Sequence, residues 1–511
     1  MPKIIIPVPR EETPVLFTFA PLAMLRIAKM LKEAGYEPVI LDAKQLKDDF
    51  LPRLEKEFKD NPAFVWCCGK LGRQLIDLMA AAKLAKKINP ELPVVFGGWY
   101  YPLDKKASLA PDFVDYVVSG QAEYTLVELA DALTKGGDIQ QIQGLRGKNE
   151  DGSIWEAPPR AWERNLDVFG PYPFDMIDME FYVSSDNGRC QPMVAGTKRS
   201  INYTYSRGCH GMCSFCHTTA IWDRAWFSHT PEHVTKELNH LITEYKVEGI
   251  DFHDTNMFTG LGRARKILQG FKDGGHDIRW KCSVRVDQVN ALTTEMMELI
   301  RDTRCAEFAI GAESSSSRVL GLVAKEVVAT EIVDCSKRCE KYGILPAYSF
   351  MVGFPDEHNW EDSKATLSFM AMLRHIVPNA MAEYFYYTPI PETPLFKGYA
   401  SSYLPKHDTL EDYLIFSAYD PNMPWVDDKL PVLLKMATRF YFRFAIPTDD
   451  MKQRMRGKGP VGIALSVLRR LSDWRVRNRR YGFPFEYKLA RFVKDVLIKK
   501  LGLFKKFGEL L

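Results

Sequence analysis

Histidine is missing from the first 209 residues of this 511-residue chain, and its ten histidines all lie at or after His210. The N-terminal part therefore has no imidazole to offer a metal or a cofactor. The chain also lacks a run of about 18 apolar residues, which argues against a membrane-spanning helix. The apolar run at residues 4–6 is too short for a secretory signal peptide. Ten cysteines without such a signal predict a reducing, cytoplasmic compartment.

Repeats, low-complexity tracts and a disordered composition are absent too. Hydrophobic residues make up 46% and charged residues 26% of the chain, as in an ordinary globular protein, and the length predicts about three domains. The net charge of +3 hides an uneven distribution. Residues 451–511 contain 17 Lys/Arg and 4 Asp/Glu, a net charge of +13, which leaves −10 on the rest. Such a basic tail predicts an anionic partner.

Three cysteines with C-x3-C-x2-C spacing, Cys209, Cys213 and Cys216, dominate the middle of the chain. Three neighbouring thiolates favour a soft metal centre. An all-cysteine iron–sulfur cube needs four such ligands, so three leave one iron open to bind a small molecule. The alternative is a structural zinc site completed by His210 or His217, although no second Cys-x2-Cys pair is present.

The stretch at residues 205–217, with Phe215 just before the last cysteine, resembles the cluster motif of the radical S-adenosylmethionine (SAM) enzymes. The resemblance implies that Cys209, Cys213 and Cys216 ligate a [4Fe–4S] cluster. It also implies that the open iron binds the amino and carboxylate groups of SAM, and that reductive cleavage of SAM gives a 5′-deoxyadenosyl radical.

Strand patterns alternate with helical patterns between residues 4 and 133. This alternation predicts an open parallel sheet, so we expect a Rossmann-like domain over residues 1–143. Ligands of such sheets bind beyond the carboxyl ends of the strands. Those ends are followed here by Cys68, Gly97-Gly98 and Gly120-Gln121. No Gly-x-Gly-x-x-Gly follows the first strand, which argues weakly against a dinucleotide.

Residues 94–133 resemble the cobalamin-binding domain that precedes many radical SAM barrels. The resemblance rests on Gly97-Gly98 after one strand and on the Gly-Gln-x-Glu turn of residues 120–123 after the next. It implies that the first domain binds cobalamin. The positions implied to contact cobalamin are Cys68, Gly97, Gly98, Trp99, Gly120, Gln121 and Glu123.

One feature of that family is missing, the Asp-x-His-x-x-Gly loop whose histidine ligates cobalt from below. If cobalamin binds, its lower face is therefore open, bound to water, or approached by a side chain such as Cys68, Tyr100 or Tyr101. The alternative is a degenerate domain that binds nothing.

Residues 144–199 are rich in proline and aromatic residues and have little periodicity, which predicts an ordered linker. Over residues 200–400, each predicted strand is followed by polar, glycine or proline residues. Such an arrangement is typical of a β/α barrel with a site on its carboxyl-terminal rim. We therefore expect an α/β protein with a Rossmann-like cobalamin-binding domain, a partial (β/α)6 TIM-type barrel and a helical basic region at residues 401–511.

Three segments of the predicted rim extend the resemblance to radical SAM enzymes. They are Gly-Ala-Glu-Ser at residues 311–314 with Lys325 downstream, residues 351–357, and the proline-rich residues 389–395. The resemblance thus covers roughly residues 1–400.

The resemblance also implies residues that bind SAM. The segment from Asp254 to Asn256 takes the position that meets the SAM amino group, and Arg285 and Glu313 take positions that meet its carboxylate and ribose. The alternative for Arg285 and Glu313 is a buried ion pair that braces the rim. We expect His253, on a predicted strand, to be packed in the core.

The C-terminal region mixes apolar and cationic residues at nearly helical spacing, most clearly at residues 439–444 and 492–507. One reading is a helical cap with a solvated basic face. The other is an amphipathic surface that contacts anionic membrane lipid. Nucleic acid is not expected as a partner, because the basic residues belong to no recognisable binding module.

Taken with the resemblance, the sequence predicts a cobalamin-dependent radical SAM enzyme, a methyltransferase that moves a methyl group from SAM via methylcobalamin to an unactivated carbon. Cyclisation, oxidation or rearrangement without methyl transfer is the alternative chemistry, and a zinc-stapled binding protein is the alternative without catalysis. The expected partners are a small-molecule substrate (a lipid, tetrapyrrole or natural-product intermediate) and an electron donor such as flavodoxin or ferredoxin. We expect a cytoplasmic protein, peripheral at the membrane if the tail binds lipid.

Overall fold

Two large β-sheets, each built mainly from parallel strands, organise the chain. The computed structural model describes residues 1–11, 17–98, 104–185, 191–356, 358–447, 452, 455 and 460–492. The predicted fold class is confirmed, with a Rossmann-like domain first and a partial barrel after it.

The first sheet has the strand order β2-β1-β3-β4-β5-β6-β7. Strands β1 to β5 run parallel, because helices carry the chain back across the sheet between them. The strands are β1 (Lys3–Val8), β2 (Glu37–Asp42), β3 (Phe64–Cys68), β4 (Val94–Gly97), β5 (Tyr116–Val118), β6 (Leu145–Lys148) and β7 (Ile154–Glu156). The helices are α1 (Leu22–Glu33), α2 (Ala43–Leu46), α3 (Phe50–Lys59), α4 (Arg73–Ile88), α5 (Lys105–Leu109) and α6 (Ala122–Lys135).

The hydrophobic pattern explains these elements. Five of the six residues of β1 are buried, as expected for a strand covered on both faces. Helix α1 instead buries Leu25, Ala28 and Leu31, which recur at helical spacing and face the sheet.

The first sheet continues beyond residue 143, where we expected the domain to end. Strands β6 and β7 of the predicted linker pair antiparallel with β5 and with each other. Further along the connector lies the short helix α7 (Met179–Val183), whose Tyr182 donates a hydrogen bond to Asp42 of the first domain. The first part of the connector therefore belongs to the sheet of the first domain.

The second sheet is parallel throughout and runs in the order β15-β14-β13-β12-β11-β8. Its strands are β8 (Ser200–Tyr203), β11 (Gly249–Phe252), β12 (Arg279–Arg285), β13 (Cys305–Glu313), β14 (Leu345–Val352) and β15 (Met381–Tyr386). The intervening helices are α8 (His217–Trp222), α9 (Pro231–Tyr245), α10 (Leu261–Asp273), α11 (Val286–Ala291), α12 (Thr294–Asp302), α13 (Ser317–Leu322), α14 (Ala329–Lys341) and α15 (Asn359–Ile376). A two-stranded hairpin, β9 (Ser206–Gly208) with β10 (Trp226–Ser228), lies beside this sheet.

The region after residue 400 has two parts, which pack on different domains. Its first part crosses to the Rossmann-like domain, where Leu410, Tyr413, Phe416 and Met423 are buried in the core around α4. Trp425 then returns to the barrel and donates a hydrogen bond to the carbonyl of Gly353, at 2.8 Å. We expected one helical basic region, and instead its first residues join the two domains.

The second part of this region is helical, as predicted, and packs on the barrel. Its helices are α17 (Lys429–Met436), α18 (Phe442–Ala445), α19 (Pro460–Arg477) and α20 (Phe485–Phe492), after the short α16 (Pro394–Gly398) on the rim. A π-helical turn, Ala437–Tyr441, joins α17 to α18. None of the described helices combines the length and the apolar content that crossing a membrane requires.

Candidate active site at the domain interface

The three cysteines lie on a loop that leaves the β9–β10 hairpin. Gly208 ends β9 with a φ of +87°, and a Cβ at this position would lie 2.0 Å from the carbonyl oxygen of Ala225. Only glycine fits there. The loop ends at Cys216, the N-cap of α8, so the cysteines span the gap between a strand and a helix.

Polar groups surround the thiols. Arg285 reaches the sulfur of Cys213 with a guanidinium nitrogen at 3.4 Å, and the backbone N–H of Gly211 lies 3.3 Å from the sulfur of Cys209. Positive charge and N–H donors stabilise thiolates, the form in which cysteine binds a metal. Burial raises the pKa of Cys216, so a bound metal ion is needed to keep this thiol ionised near neutral pH.

Asp254, which follows β11, holds the cysteine loop in place. Its carboxylate accepts hydrogen bonds from the backbone N–H of Ser206 at 2.6 Å and from the hydroxyl of Ser206 at 2.5 Å. The side chain is buried, and burial raises the pKa of Asp254 to about 7. Both hydrogen bonds from Ser206 reach one oxygen, Oδ1, while Oδ2 lies 3.5 Å from the backbone nitrogen of Tyr205. The expected contact between Asp254 and the SAM amino group stays a prediction.

Asn256, two residues further on, has a free acceptor. Its carbonyl oxygen Oδ1 is buried and has no hydrogen-bond partner within the described residues. The amide nitrogen of the same side chain lies 3.9 Å from the sulfur of Cys209. A buried acceptor without a partner is uncommon and points to a donor that binds from outside the chain. The residues present therefore fit a bound molecule with an N–H donor next to the cluster loop.

Arg285 and Glu313 each pair with a different residue on the rim, so the alternative of a buried ion pair holds for Glu313 with another partner. Arg285 pairs with Asp287 at 3.0 Å, whereas Glu313 pairs with Lys325 at 3.0 Å. Glu313 and Lys325 are both buried.

The turn at the end of β13 is shaped around the Glu313–Lys325 pair. Glu313 has a φ of +62°, which strains a residue that has a Cβ. A Cβ at Gly311 would lie 2.4 Å from a carboxylate oxygen of Glu313, so a glycine is needed beside it. The sequence motif includes Lys325, and its role as the partner of Glu313 is visible only in the structure.

The predicted cobalamin contacts lie at the carboxyl ends of β3, β4 and β5. Gly98 has a φ of +119°, and a Cβ there would lie 2.8 Å from the carbonyl oxygen of Gly69. The neighbouring Gly97 is in close contact with the ring of Trp66, since an added Cβ would lie 2.1 Å from it. Cys68 is half-buried at the end of β3, and burial raises its pKa to about 12.

Gly97, the last residue of β4, is buried against the Trp66 ring, whereas Gly98 after it is partly exposed and has no Cβ. This arrangement fits the close approach of a large ligand to the sheet edge. Trp99, Tyr100 and Tyr101 lie outside the described residues.

Two predicted cobalamin contacts after β5 prove to be engaged with protein. Gln121 bridges the backbone of Glu163, donating to its carbonyl at 3.0 Å and accepting from its N–H at 2.5 Å. Gly120, just before it, has a φ of +80° and leaves room for the ring of Trp162. Gln121 therefore anchors the connector, and its contact with cobalamin stays a prediction.

Glu123 makes the contact that brings the two domains together at the site. Its carboxylate lies 2.5 Å from a guanidinium nitrogen of Arg207, on the strand that leads into the cysteine loop. Glu123 is buried, and Arg207 is 22% exposed. Although burial acts to raise the pKa of Glu123, the charges of Arg207 and Arg26 hold it below its ordinary value. The turn after β5 and the cysteine loop are thus joined by a buried ion pair.

A second polar contact lies beside this pair. Arg26 of α1 donates to Nε2 of His229 at 3.1 Å, and Nδ1 of His229 lies 2.9 Å from Asp167 of the connector. Because arginine can only donate, Nε2 must accept, and we assign the ring proton to Nδ1, which donates to Asp167. His233 stacks on His229 and lies 3.6 Å from Asp167. The oxygen and ring nitrogens of Asp167, His229 and His233 lie within 4.8 Å, but the adjacent arginine disfavours a cation there.

The contact between Arg26, His229 and Asp167 should make the free energy of unfolding depend on pH. Burial, followed by the charge of Arg26, lowers the pKa of His229 to about 3, so the folded protein keeps this ring neutral. The unfolded chain takes up a proton below about pH 6.5, and the stability that the neutral ring contributes is lost as pH falls toward about 3. Between about pH 7.5 and about pH 5.5 we expect wild type to lose about 1.4 kcal/mol relative to His229→Asn in denaturant unfolding. An unchanged difference between the two proteins would show that His229 is protonated when folded.

His253 was expected in the core, but it lies on the barrel rim. Its side chain is 36% exposed, bonds Asp251 at 3.0 Å, and contacts the ring of Phe19 from the first domain at 4.6 Å. The strand ends one residue earlier, at Phe252, so the strand pattern was extended too far.

Comparison with known proteins decides the family. Two family models match the chain, the B12 binding domain over residues 13–130 and the radical SAM superfamily over residues 203–370. An uncharacterised methyltransferase of Pyrococcus horikoshii, PH0819, is 30% identical over 402 residues, which are 77% of this chain and 82% of the relative. The chain belongs to the cobalamin-dependent radical SAM enzymes. The family prediction is confirmed, and a zinc-stapled binding protein is set aside.

Two further relatives, a cyclase and a methyltransferase, are also similar to this chain. An anaerobic magnesium-protoporphyrin IX monomethyl ester cyclase of Synechocystis is 21% identical over 358 residues, 68% of this chain and 66% of the relative. The solved structure of the radical SAM methyltransferase TsrM from Kitasatospora setae, with cobalamin and a [4Fe–4S] cluster bound, has a TM-score of 0.62 at 18% identity. That match covers 79% of this chain and 75% of TsrM, and it shows that the fold is shared. The predicted cofactors, a [4Fe–4S] cluster, SAM and cobalamin, agree with both family models.

Proposed function

We propose that this radical SAM enzyme is a C-methyltransferase that moves a methyl group from SAM to an unactivated carbon. The observation that carries the proposal is the buried ion pair between Arg207 and Glu123, because it holds the cysteine loop against the turn of the B12 domain. Two cofactors must act on one substrate in this chemistry, and the pair brings their binding regions together. The methyltransferase of Pyrococcus horikoshii, at 30% identity, supports the same activity.

The side chains present indicate which residues would bind the cluster and which would bind SAM. Cys209, Cys213 and Cys216 would hold three irons of a [4Fe–4S] cluster. The unpaired carbonyl oxygen of Asn256 would accept a hydrogen bond from the SAM amino group. Arg285 would attract its carboxylate, because this cation already faces Cys213 at 3.4 Å.

Glu313 and Lys325 have a supporting role in this proposal. Their ion pair is buried at the end of β13, so each charge is compensated by the other and the pair fixes the turn that follows this strand. The second carboxylate oxygen of Glu313 can still accept a hydrogen bond from a hydroxyl group of the SAM ribose, as the resemblance implies.

On the other side of the interface, Cys68, Gly97, Gly98, Gly120 and Trp99 are the proposed contacts of cobalamin. When bound, the cluster and SAM supply a carbon-centred radical and cobalamin supplies the methyl group, a division of labour that suits a carbon without an acidic hydrogen. With no histidine before His210, the lower face of cobalamin has no imidazole from this domain. The protein then binds and orients both cofactors and keeps water from the radical.

Cyclisation or oxidation without methyl transfer is the second candidate, and the cyclase of Synechocystis favours it. It would use the same two cofactors and the same residues. The two functions differ in what becomes of the SAM methyl group.

The test is the fate of that methyl group. The reconstituted protein is incubated anaerobically with cell extract, a reductant and methyl-deuterated SAM, and small molecules are analysed by mass spectrometry. A methyltransferase gives a product that carries the intact labelled methyl group, formed only when SAM, cobalamin and protein are all present. Steady formation of 5′-deoxyadenosine with a product that carries no label would establish the second candidate instead.

The remaining partners are proposals as well. A flavodoxin or ferredoxin would supply the electron that the cluster needs, and the substrate would be a lipid, tetrapyrrole or natural-product intermediate. We propose a cytoplasmic location, with peripheral contact between the basic C-terminal region and an anionic membrane. The net charge of +13 on residues 451–511 supports that contact.

A further inference from the structure

Helix α19 is apolar on two opposite faces. One face carries Leu465 and Val476, which are almost fully buried in the barrel core, with the small Ser472 buried between them. The opposite face carries Ile463, Val467 and Trp474, with exposed fractions of 60%, 51% and 52%. These three recur at i, i+4 and i+11, so they form one stripe along the outside of the helix. A helix packed on one side only should be polar on this outer face.

The next element repeats the pattern. Phe483 in the turn before α20 is 83% exposed, and Phe485, Leu489 and Phe492 follow at i, i+4 and i+7 of the helix with exposed fractions of 52%, 60% and 56%. Single exposed apolar residues are ordinary, but three large ones on one face of each of two consecutive helices mark an interaction surface. We name this surface the C-terminal ridge. It consists of Ile463, Val467, Trp474, Phe483, Phe485, Leu489 and Phe492.

A single buried arginine holds the two parts of the ridge together. Arg475 of α19 pairs with Glu486 of α20, and it donates hydrogen bonds to the carbonyl oxygens of Arg480, Gly482 and Phe483 at 2.8 to 3.0 Å. The turn and α20 are therefore fixed to α19. The ridge is built into the fold and is preformed before any partner binds.

The charges around the ridge are positive. Arg469, Arg470, Arg479, Arg480 and Lys488 are exposed on the same two helices or the turn between them. The acidic residues of 460–492 are Asp473, which pairs with Arg477, and Glu486, which is buried against Arg475. Bulky apolar side chains flanked by cations, on helices that lie along a surface, are what an anionic bilayer selects.

We propose that the C-terminal ridge inserts into the headgroup region of an anionic lipid bilayer, with the surrounding arginines and lysine on the lipid phosphates. The proposal deepens the peripheral contact stated above and rests on it, but it does not depend on methyl transfer. Trp474 and the phenylalanines would lie at the boundary between headgroups and acyl chains, where aromatic rings are favoured. The described helices bind on the surface and do not span it.

The proposed membrane contact lies on residues other than the two segments that the sequence analysis expected. Residues 439–444 were one of the two expected contact segments, yet Phe440, Tyr441 and Phe444 are buried in the barrel core. Of the other segment, residues 492–507, Phe492 alone lies within the described residues. The ridge residues at 463–489 were not singled out from the sequence, because their helix has two apolar faces and periodicity alone cannot tell which is outside.

The test is co-sedimentation of the full-length reconstituted enzyme with vesicles of phosphatidylcholine alone or of phosphatidylcholine with phosphatidylglycerol. The ridge variant combines Trp474→Ser, Phe485→Ser and Leu489→Ser. The matched control is Val432→Ser, an equally exposed apolar residue of α17, which is 58% exposed and outside the ridge. Because all four side chains are exposed, thermal stability and iron content should stay at wild-type values, which checks folding.

We expect wild type and Val432→Ser to bind the anionic vesicles, and the ridge variant to bind them about tenfold or more weakly. Charge reversal at Arg469 and Arg470 should weaken binding to anionic vesicles and leave the weak binding to neutral vesicles unchanged. Equal binding of the ridge variant and wild type would overturn the ridge while leaving peripheral contact in place. No binding by wild type would overturn both. Self-association of wild type that the ridge variant loses, without vesicle binding, would assign the ridge to a second copy of the chain and overturn the proposal.

Discussion

Replacing Cys213 with alanine should abolish the radical chemistry of this enzyme. Cys213 is buried beside Arg285, and with Cys209 and Cys216 it makes up the three-thiol set that would hold the cluster. A cube held by two thiols is not retained, so iron content after anaerobic reconstitution should fall from about four per chain to near zero. Formation of 5′-deoxyadenosine from SAM should fall to the background rate, measured by chromatography of the quenched reaction.

Cys335→Ala serves as the matched control for this substitution. Cys335 is also buried, but it lies on the core-facing side of α14 and not in the cysteine loop. Its variant should keep the iron content and the 5′-deoxyadenosine yield of wild type. If Cys213→Ala held its full iron content, or if the wild-type protein bound zinc and no iron, the cluster assignment would be wrong.

Breaking the ion pair between Glu123 and Arg207 should have the second largest effect. Glu123→Gln leaves the guanidinium of Arg207 without its charged partner in a largely buried contact. Removing one partner of a buried pair costs about 3 kcal/mol or more. We expect a loss of that order in denaturant unfolding, and a larger fall in product formation than in iron content, because the pair joins the cluster loop to the B12 domain.

Glu128→Gln provides the comparison on the same helix. Glu128 of α6 also pairs with an arginine, Arg160, but its carboxylate is 47% exposed, so its loss should cost less than about 1 kcal/mol. A double-mutant cycle with Glu123→Gln and Arg207→Gln should show a coupling of about 1 kcal/mol or more between the two side chains. Additive effects of the two substitutions would mean that they act independently and that the pair does not join the domains.

The parts of the fold that were predicted correctly are those encoded in local patterns. The fully apolar run of β1 and the helical spacing of α1 each specify an element without help from distant residues. The spacing of Cys209, Cys213 and Cys216 is equally local. The family and its two domains followed from such patterns together with the resemblance.

The parts that were missed depend on partners far apart in the sequence. Glu123 and Arg207 are 84 residues apart, and Asp254 and Ser206 are 48 apart. The sequence shows in both cases a polar residue after a strand, but it does not identify the partner, because periodicity indicates which face a side chain takes and not which residue it contacts there. The structure adds backbone partners for Asp254 and Gln121 that the sequence did not indicate, and their contacts with cofactors stay predictions.

The return of residues 410–423 to the first domain was missed for a related reason. Tyr413 and Phe416 have no regular helical or strand spacing, since they lie in a single 3-10 turn and just after it. Their burial comes from the surface of α4 and its neighbours. A segment of this kind has no pattern of its own to be recognised.

The central claim is that SAM is used in two ways by one site, and the products of SAM measure this directly. Anaerobic turnover of the reconstituted enzyme with cobalamin, reductant and a methyl-accepting extract is followed by quantifying S-adenosylhomocysteine and 5′-deoxyadenosine in the same sample. The proposal predicts that S-adenosylhomocysteine and 5′-deoxyadenosine form together, in about equal amounts. Neither product should accumulate with Cys213→Ala, because turnover requires the radical step. Formation of 5′-deoxyadenosine without S-adenosylhomocysteine would contradict methyl transfer.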